Sequence, residues 1–187
     1  MTRRGFTFIG GVTGAWRIAR IDTVVGGPLT EAPRLEVVDS LVASPPPSAH
    51  WLLRGVTSNE RYVTRAERQL LEARQPALGR PEADHAALIP IRKSAVWWEL
   101  TQDERREIFE TRTEHIRTGI RYLPAVARRL HHSRDLGEPF DFLTWFEFSQ
   151  EHSAAFDELV VSLRASEEWK YVDREVDIRL VRDLAPT

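Results

Sequence analysis

The chain has 187 residues, 42% of them hydrophobic, enough for one compact domain or two small ones sharing an interface. Its 26 basic and 28 acidic residues leave a net charge of −2, so no basic field exists to hold a polyanion, which argues against nucleic acid as a partner. Cysteine is absent, which excludes disulfides, thiolate catalysis and thiolate-held metals.

The start, Met1-Thr2-Arg3-Arg4, resembles a twin-arginine export signal, but the uncharged run that follows ends in Arg17 and Arg20 without a small-residue cleavage pattern. It reads as a first strand, and a cytoplasmic location is expected. No stretch has the length of a membrane span. From Phe6 to about Val25 the chain is β-rich and punctuated by glycine; GGVTG lacks the spacing and the Lys-Ser/Thr of a phosphate loop, so a bulged or tightly turned strand is the better reading. Strands are expected at 34–42 and 51–56, around the stiff loop Ser44-Pro45-Pro46-Pro47-Ser48. Thr64-x-x-Glu67 opens a helix carrying Leu70 and Leu71, and residues 74–86 form a connection.

The second half is more regular. A strand at 87–91 precedes a single long helix at 101–119, started by Thr101 with Glu104 as its capping box. Strands follow at 125–132 and 140–148, then a helix marked by Phe156, Leu159, Val160 and Leu163, then a strand at 171–181. This β-α-β-β-α-β order is the ferredoxin-like arrangement. The expected fold is therefore α+β: two ferredoxin-like units, a reduced one at 1–86 and a complete one at 87–187, forming a barrel-like body with helices outside.

Six histidines offer chemistry. His50, His85 and His152 sit in positions suited to surface or capping roles, and His131 and His132 adjoin Arg134 at a strand end. His115 differs, lying late in the long helix seven residues after Ile108, with the small Gly119 one turn further on. Periodicity alone leaves an ordinary core histidine and a ligand both open. In the next strand, period two groups Arg128 with Val126 and Leu130 and puts Ala127, Arg129 and His131 on a polar side. A permanently charged guanidinium on an apolar face calls for a carboxylate, an anion or a ligand opposite it. Phe140, Phe142, Thr144, Phe146 and Phe148 share a face of the neighbouring strand, either plain sheet core or the wall of a dry cavity. Glu167 and Glu168 are either solvated charges or a source of the carboxylate that a metal-bound histidine commonly uses to orient its ring. Lys93 is one of only two lysines in an arginine-biased chain.

Lys93-x3-Trp97-Trp98, Thr113-Glu114-His115, Tyr122-Leu123-Pro124-Ala125-Val126-Ala127-Arg128-Arg129, Phe142-Leu143-Thr144-Trp145-Phe146-Glu147-Phe148 and Glu167-Glu168-Trp169 occur in one order. In this the chain closely resembles the chlorite dismutases, and its short first half resembles their dimeric branch. The resemblance implies haem b with His115 as the iron ligand, Glu168 as its hydrogen-bond partner and Arg128 as the distal arginine. Lys93 and Trp97 are implied near the haem and its propionates, with Asn59 and Tyr62 as weaker candidates and Gln75 as a residue that holds Arg128 in one orientation. The implied reaction converts chlorite, or a similar small anion, to chloride and dioxygen by oxygen-atom transfer and O–O bond formation, in a homodimer. Two alternatives are a coprohaem decarboxylase, which shares the fold and the proximal histidine but does not need Arg128, and a non-enzymatic haem-binding or sensing dimer.

Overall fold

The computed structural model describes residues 4–57, 65, 69, 73–112 and 115–183, apart from the side chains of 111–117. Eight strands form a closed barrel: β1 (Gly5–Gly11), β2 (Trp16–Val25), β3 (Arg34–Val38), β4 (Ala49–Val56), β5 (His85–Lys93), β6 (Ala127–His132), β7 (Phe142–Phe148) and β8 (Val172–Arg182). Around the barrel the order is β4-β1-β3-β2-β8-β5-β7-β6, every pairing antiparallel, so the first four strands and the last four repeat one spatial order. In the second set, helices cross over between β5 and β6 and between β7 and β8. In the first, β1 joins β2 through residues 12–15 and β3 joins β4 through 39–48, without helices. Of the helix expected from Thr64, residues 65, 69, 73 and 74 are helical and the remainder lies outside the described residues.

Alternation decides what each strand buries. Phe6 and Phe8 of β1, Leu143 and Trp145 of β7, and Val176, Ile178 and Leu180 of β8 fill the lumen. Phe146 and Phe148 point outward and meet Phe156, Leu159, Val160 and Leu163 of the helix Ser153–Arg164. Each such aromatic or aliphatic side chain removed from water stabilises the fold by about 1.5–3 kcal/mol. Gly10 lies flat beneath the Trp51 indole, where any Cβ would collide with the ring.

Three expectations need correction. Phe140 joins the lumen cluster and not the outward face of Phe146, because the chain bends at residues 139–141 and the alternation begins only at Phe142. The strand expected at 34–42 ends at Val38; Thr7 Oγ1 then binds the segment beyond it, donating to Ser40 O at 2.7 Å and accepting from Val42 N–H at 2.9 Å. On β6 the side read as polar faces the lumen: Ala127 and His131 are fully buried, whereas Leu130 is 41% exposed.

The burial of His131 is possible because both ring nitrogens are satisfied. Nδ1 lies 3.0 Å from Leu143 O, and Nε2 accepts from Arg129 Nε at 3.0 Å, which makes Nδ1 the protonated nitrogen of a neutral ring. Phe6 and Phe8 present their rings edge-on to it, and the Arg129 guanidinium lies 3.7 Å from the Phe6 centroid. Burial pushes the His131 pKa from 6.5 down to about 3. Between these values the unfolded chain binds a proton that the folded chain refuses, so the contribution is complete above pH 6.5 and is lost as pH falls toward 3. The loss is on the order of 3 kcal/mol between pH 6.5 and pH 4. Urea unfolding of the haem-free protein across that range checks this: His131→Asn is expected to flatten the acid-side slope, and an unchanged slope would rule out His131 as its source.

Candidate active site

The site grows from the end of β5. A register shift between Arg92 and Lys93 ends regular pairing, and the Lys93 N–H donates to Asp141 Oδ2 at 2.7 Å. The side chain runs inward, and its Nζ donates to Glu168 Oε1 at 2.6 Å; the two side chains are 4% and 6% exposed. Glu168 reaches this position on a 3₁₀ turn, Glu167–Tyr171, whose far end accepts Ser94 N–H at Tyr171 O, 2.7 Å away. The ammonium also lies 4.6 Å from the Trp97 ring and 5.6 Å from that of Trp169. An ion pair withdrawn from water needs such company, since desolvation otherwise outweighs the attraction.

Trp97 belongs to a short helix, α1 (Ala95–Glu99), and is 2% exposed. Arg105, itself buried, fastens the end of α1 by donating from Nε to Trp97 O at 3.0 Å and from Nη2 to Trp98 O at 2.6 Å. That role is legible only in space, because the partners are seven and eight residues apart. The capping box expected at Thr101 is present: Thr101 N–H donates to Glu104 Oε2 at 2.7 Å.

Over the range expected to form a single helix, 101–119, α2 (Gln102–Arg106) passes directly into a π-helical stretch (Glu107–Arg112), and α3 (His115–Arg121) follows after residues 113 and 114, which lie outside the described residues. The wider π turn breaks the 3.6-residue stripe, so Ile108 and His115 are not related by simple helical spacing. Ile108 is buried, and the π stretch packs against the turn that carries Glu168. His115 is the first residue of α3, and its side chain lies outside the described residues.

Further along α3, Gly119 meets the half-buried Arg128: a Cβ at Gly119 would stand 2.9 Å from Nη1. Arg128 pairs across the sheet with Phe146, on the outward, helix-covered face of the barrel, whereas Arg129 points into the lumen. Gln75 touches Arg128 through the main chain, Nε2 donating to Arg128 O at 2.7 Å, and not through the guanidinium. Among the described residues β6 meets β4 at Val56 and His132, and Gln75 bonds the β6 main chain further along. Lys93, Trp97 and Glu168 are thus one cluster and Arg128 lies against the helix begun by His115. Asn59 and Tyr62 lie outside the described residues. Sequence reasoning missed Asp141, which holds the Lys93 main chain and accepts Trp98 Nε1–H at 3.3 Å, and Arg105; neither sits in a motif that would reveal it.

Comparison with known proteins places the fold in a family. A crystal structure of a dimeric chlorite dismutase from Nitrobacter winogradskyi superposes with a TM-score of 0.89 at 56% identity, over 95% of this chain and 99% of that one. A chlorite dismutase from Candidatus Nitrospira defluvii shares the fold at a TM-score of 0.67 and 20% identity, over 97% and 91% of the two chains. A chlorite dismutase from Ideonella dechloratans is 38% identical over 86 residues, 46% of this chain but only 28% of that protein's length. No helix among the described residues is long and apolar enough to cross a membrane. The chlorite dismutase family model matches residues 41–183, and the chain belongs to that family.

Proposed function

We propose that this protein is a haem b enzyme that converts chlorite to chloride and dioxygen. The observation that carries the reading is the Arg128 guanidinium, set on the apolar outer face of the barrel against Gly119 of the helix that starts at His115. The residues fit a haem. Trp97 Nε1–H is buried with no hydrogen-bond partner among the described residues, a donor suited to a propionate, and Gly119 keeps bulk away from the space beside Arg128. His115 would hold the iron, Glu168 would accept the other imidazole N–H, and Lys93 would fix Glu168. When bound, haem supplies the redox chemistry by which oxygen leaves chlorine and the O–O bond forms.

The chain's own contribution is electrostatic and positional. Arg128 attracts the chlorite anion and keeps the chlorine oxyanion from leaving before the second bond forms, a task that needs fixed positive charge and no proton transfer. Phe146 and Val126 exclude water around it, which strengthens the attraction. The same guanidinium favours this reading over coprohaem decarboxylation, which has no use for it. We read residues 1–86 and 87–187 as two ferredoxin-like units, the first lacking helices on its crossovers, and the assembly as a homodimer, supported by the dimeric Nitrobacter winogradskyi relative.

Purified protein loaded with haem is expected to evolve dioxygen from chlorite. No evolution, together with conversion of coprohaem to haem, would select the decarboxylase instead. His115→Ala is expected to abolish stable haem loading, read as loss of the Soret band on gel filtration; a normal band in that variant would reject the ligand assignment.

A further inference from the structure

Glu175 of β8 is completely buried and has no part in the site described so far. Its carboxylate is divided between two partners. Oε1 accepts from Arg164 Nε at 2.8 Å and Nη2 at 2.6 Å, and Oε2 accepts the Trp169 indole N–H at 2.7 Å. Two residues along, Asp177 takes Arg164 Nη2 at 2.9 Å and Arg179 Nε at 2.5 Å. Burial opposes ionisation of Asp177, but the bonds and charge of Arg179, then of Arg164, outweigh it and hold its carboxyl below the usual range. Asp177 therefore already supplies Arg164 with a counter-charge.

A second buried carboxylate is an expensive way to fill space, since an apolar side chain of similar volume packs without the desolvation penalty. What Glu175 adds is direction. Its bond to the indole fixes the plane of Trp169, whose ring lies 5.6 Å from Lys93 Nζ, and Lys93 is bonded to Glu168, the residue beside Trp169 on the same turn. We infer that Glu175 is a positioning residue: through Trp169 it holds Lys93 and the turn carrying Glu168, and so sets how strongly Glu168 accepts a hydrogen bond from the proximal imidazole. This rests on the reading of His115 and Glu168 given above.

Two measurements test it. In the haem-free full chain, the Trp169 indole proton, assigned by its disappearance in Trp169→Phe, is expected to exchange with solvent roughly tenfold faster in Glu175→Ala, as loss of one buried hydrogen bond requires. In the haem-loaded protein, Glu175→Ala and Trp169→Phe are each expected to lower the iron–histidine stretching frequency of the ferrous form and raise the reduction potential. The double variant should go no further than either single one. Glu175→Gln keeps an acceptor for the indole and should stay near wild type, as should Asp157→Ala, which removes a bond to Arg179 in the same network without touching Trp169. Additive shifts, or Glu175→Gln behaving like Glu175→Ala, would assign Glu175 to charge balance for Arg164 and overturn the inference. Wild-type haem uptake with an unchanged potential in Glu175→Ala overturns only the role of Glu175. Failure of the wild-type chain to take up haem overturns the cofactor reading, and the tuning role with it.

Discussion

Replacing Arg128 with alanine is expected to lower kcat/KM for chlorite by on the order of 10²–10³-fold, the usual penalty for removing a preorganised donor from a developing oxyanion. Haem loading should survive, because Arg128 lies on the sheet and not on the segments that carry His115 or Glu168. Arg128→Lys keeps the charge but loses the planar fork, so partial activity is expected. Gly119→Ala approaches the same end by another route. Its Cβ would stand 2.9 Å from Nη1, at the far end of a long side chain, so the guanidinium is displaced while the fold, with alanine favoured in a helix, is not weakened. Steady-state oxygen evolution measures all three; turnover in Arg128→Ala equal to wild type would remove anion control from this residue and shift the balance toward the decarboxylase.

The second large effect concerns stability. Lys93→Met removes the ammonium from the Glu168 carboxylate in a site where both side chains are about 95% buried, and breaking such a pair from one side is expected to cost about 3–5 kcal/mol. Removing both charges with Lys93→Met/Glu168→Leu should restore most of that loss, since no buried carboxylate is then left without its ammonium. Urea unfolding of the haem-free variants separates the two. If the single and double variants were equally unstable, the packing of the lysine stem would be the source and the ion pair would be energetically idle.

The second half of the barrel was legible because its strands alternate cleanly from Phe142 to Phe148 and its last helix repeats at the spacing of Phe156, Leu159, Val160 and Leu163. Where reading failed, a single local partner had overridden a pattern. His131 counts as polar in any alternation, yet Arg129 and Leu143 O satisfy it and let it turn inward. The π stretch leaves no mark in composition, because widening a turn changes which residues share a stripe without changing the residues. Of the site itself, the residue types and their order carried the resemblance, whereas Asp141, Arg105 and Glu175 are ordinary charged residues that acquire roles only when distant segments meet.

Among the described residues the ring of strands closes through the bridge between Val56 and His132, where β4 meets β6. Arg128 sits on β6, where Gln75 bonds its main-chain carbonyl and the neighbouring Arg129 turns to His131 in the lumen. On the far side of the ring β8 pairs along its length with both β2 and β5, so the strand that carries Glu175 is held from two sides.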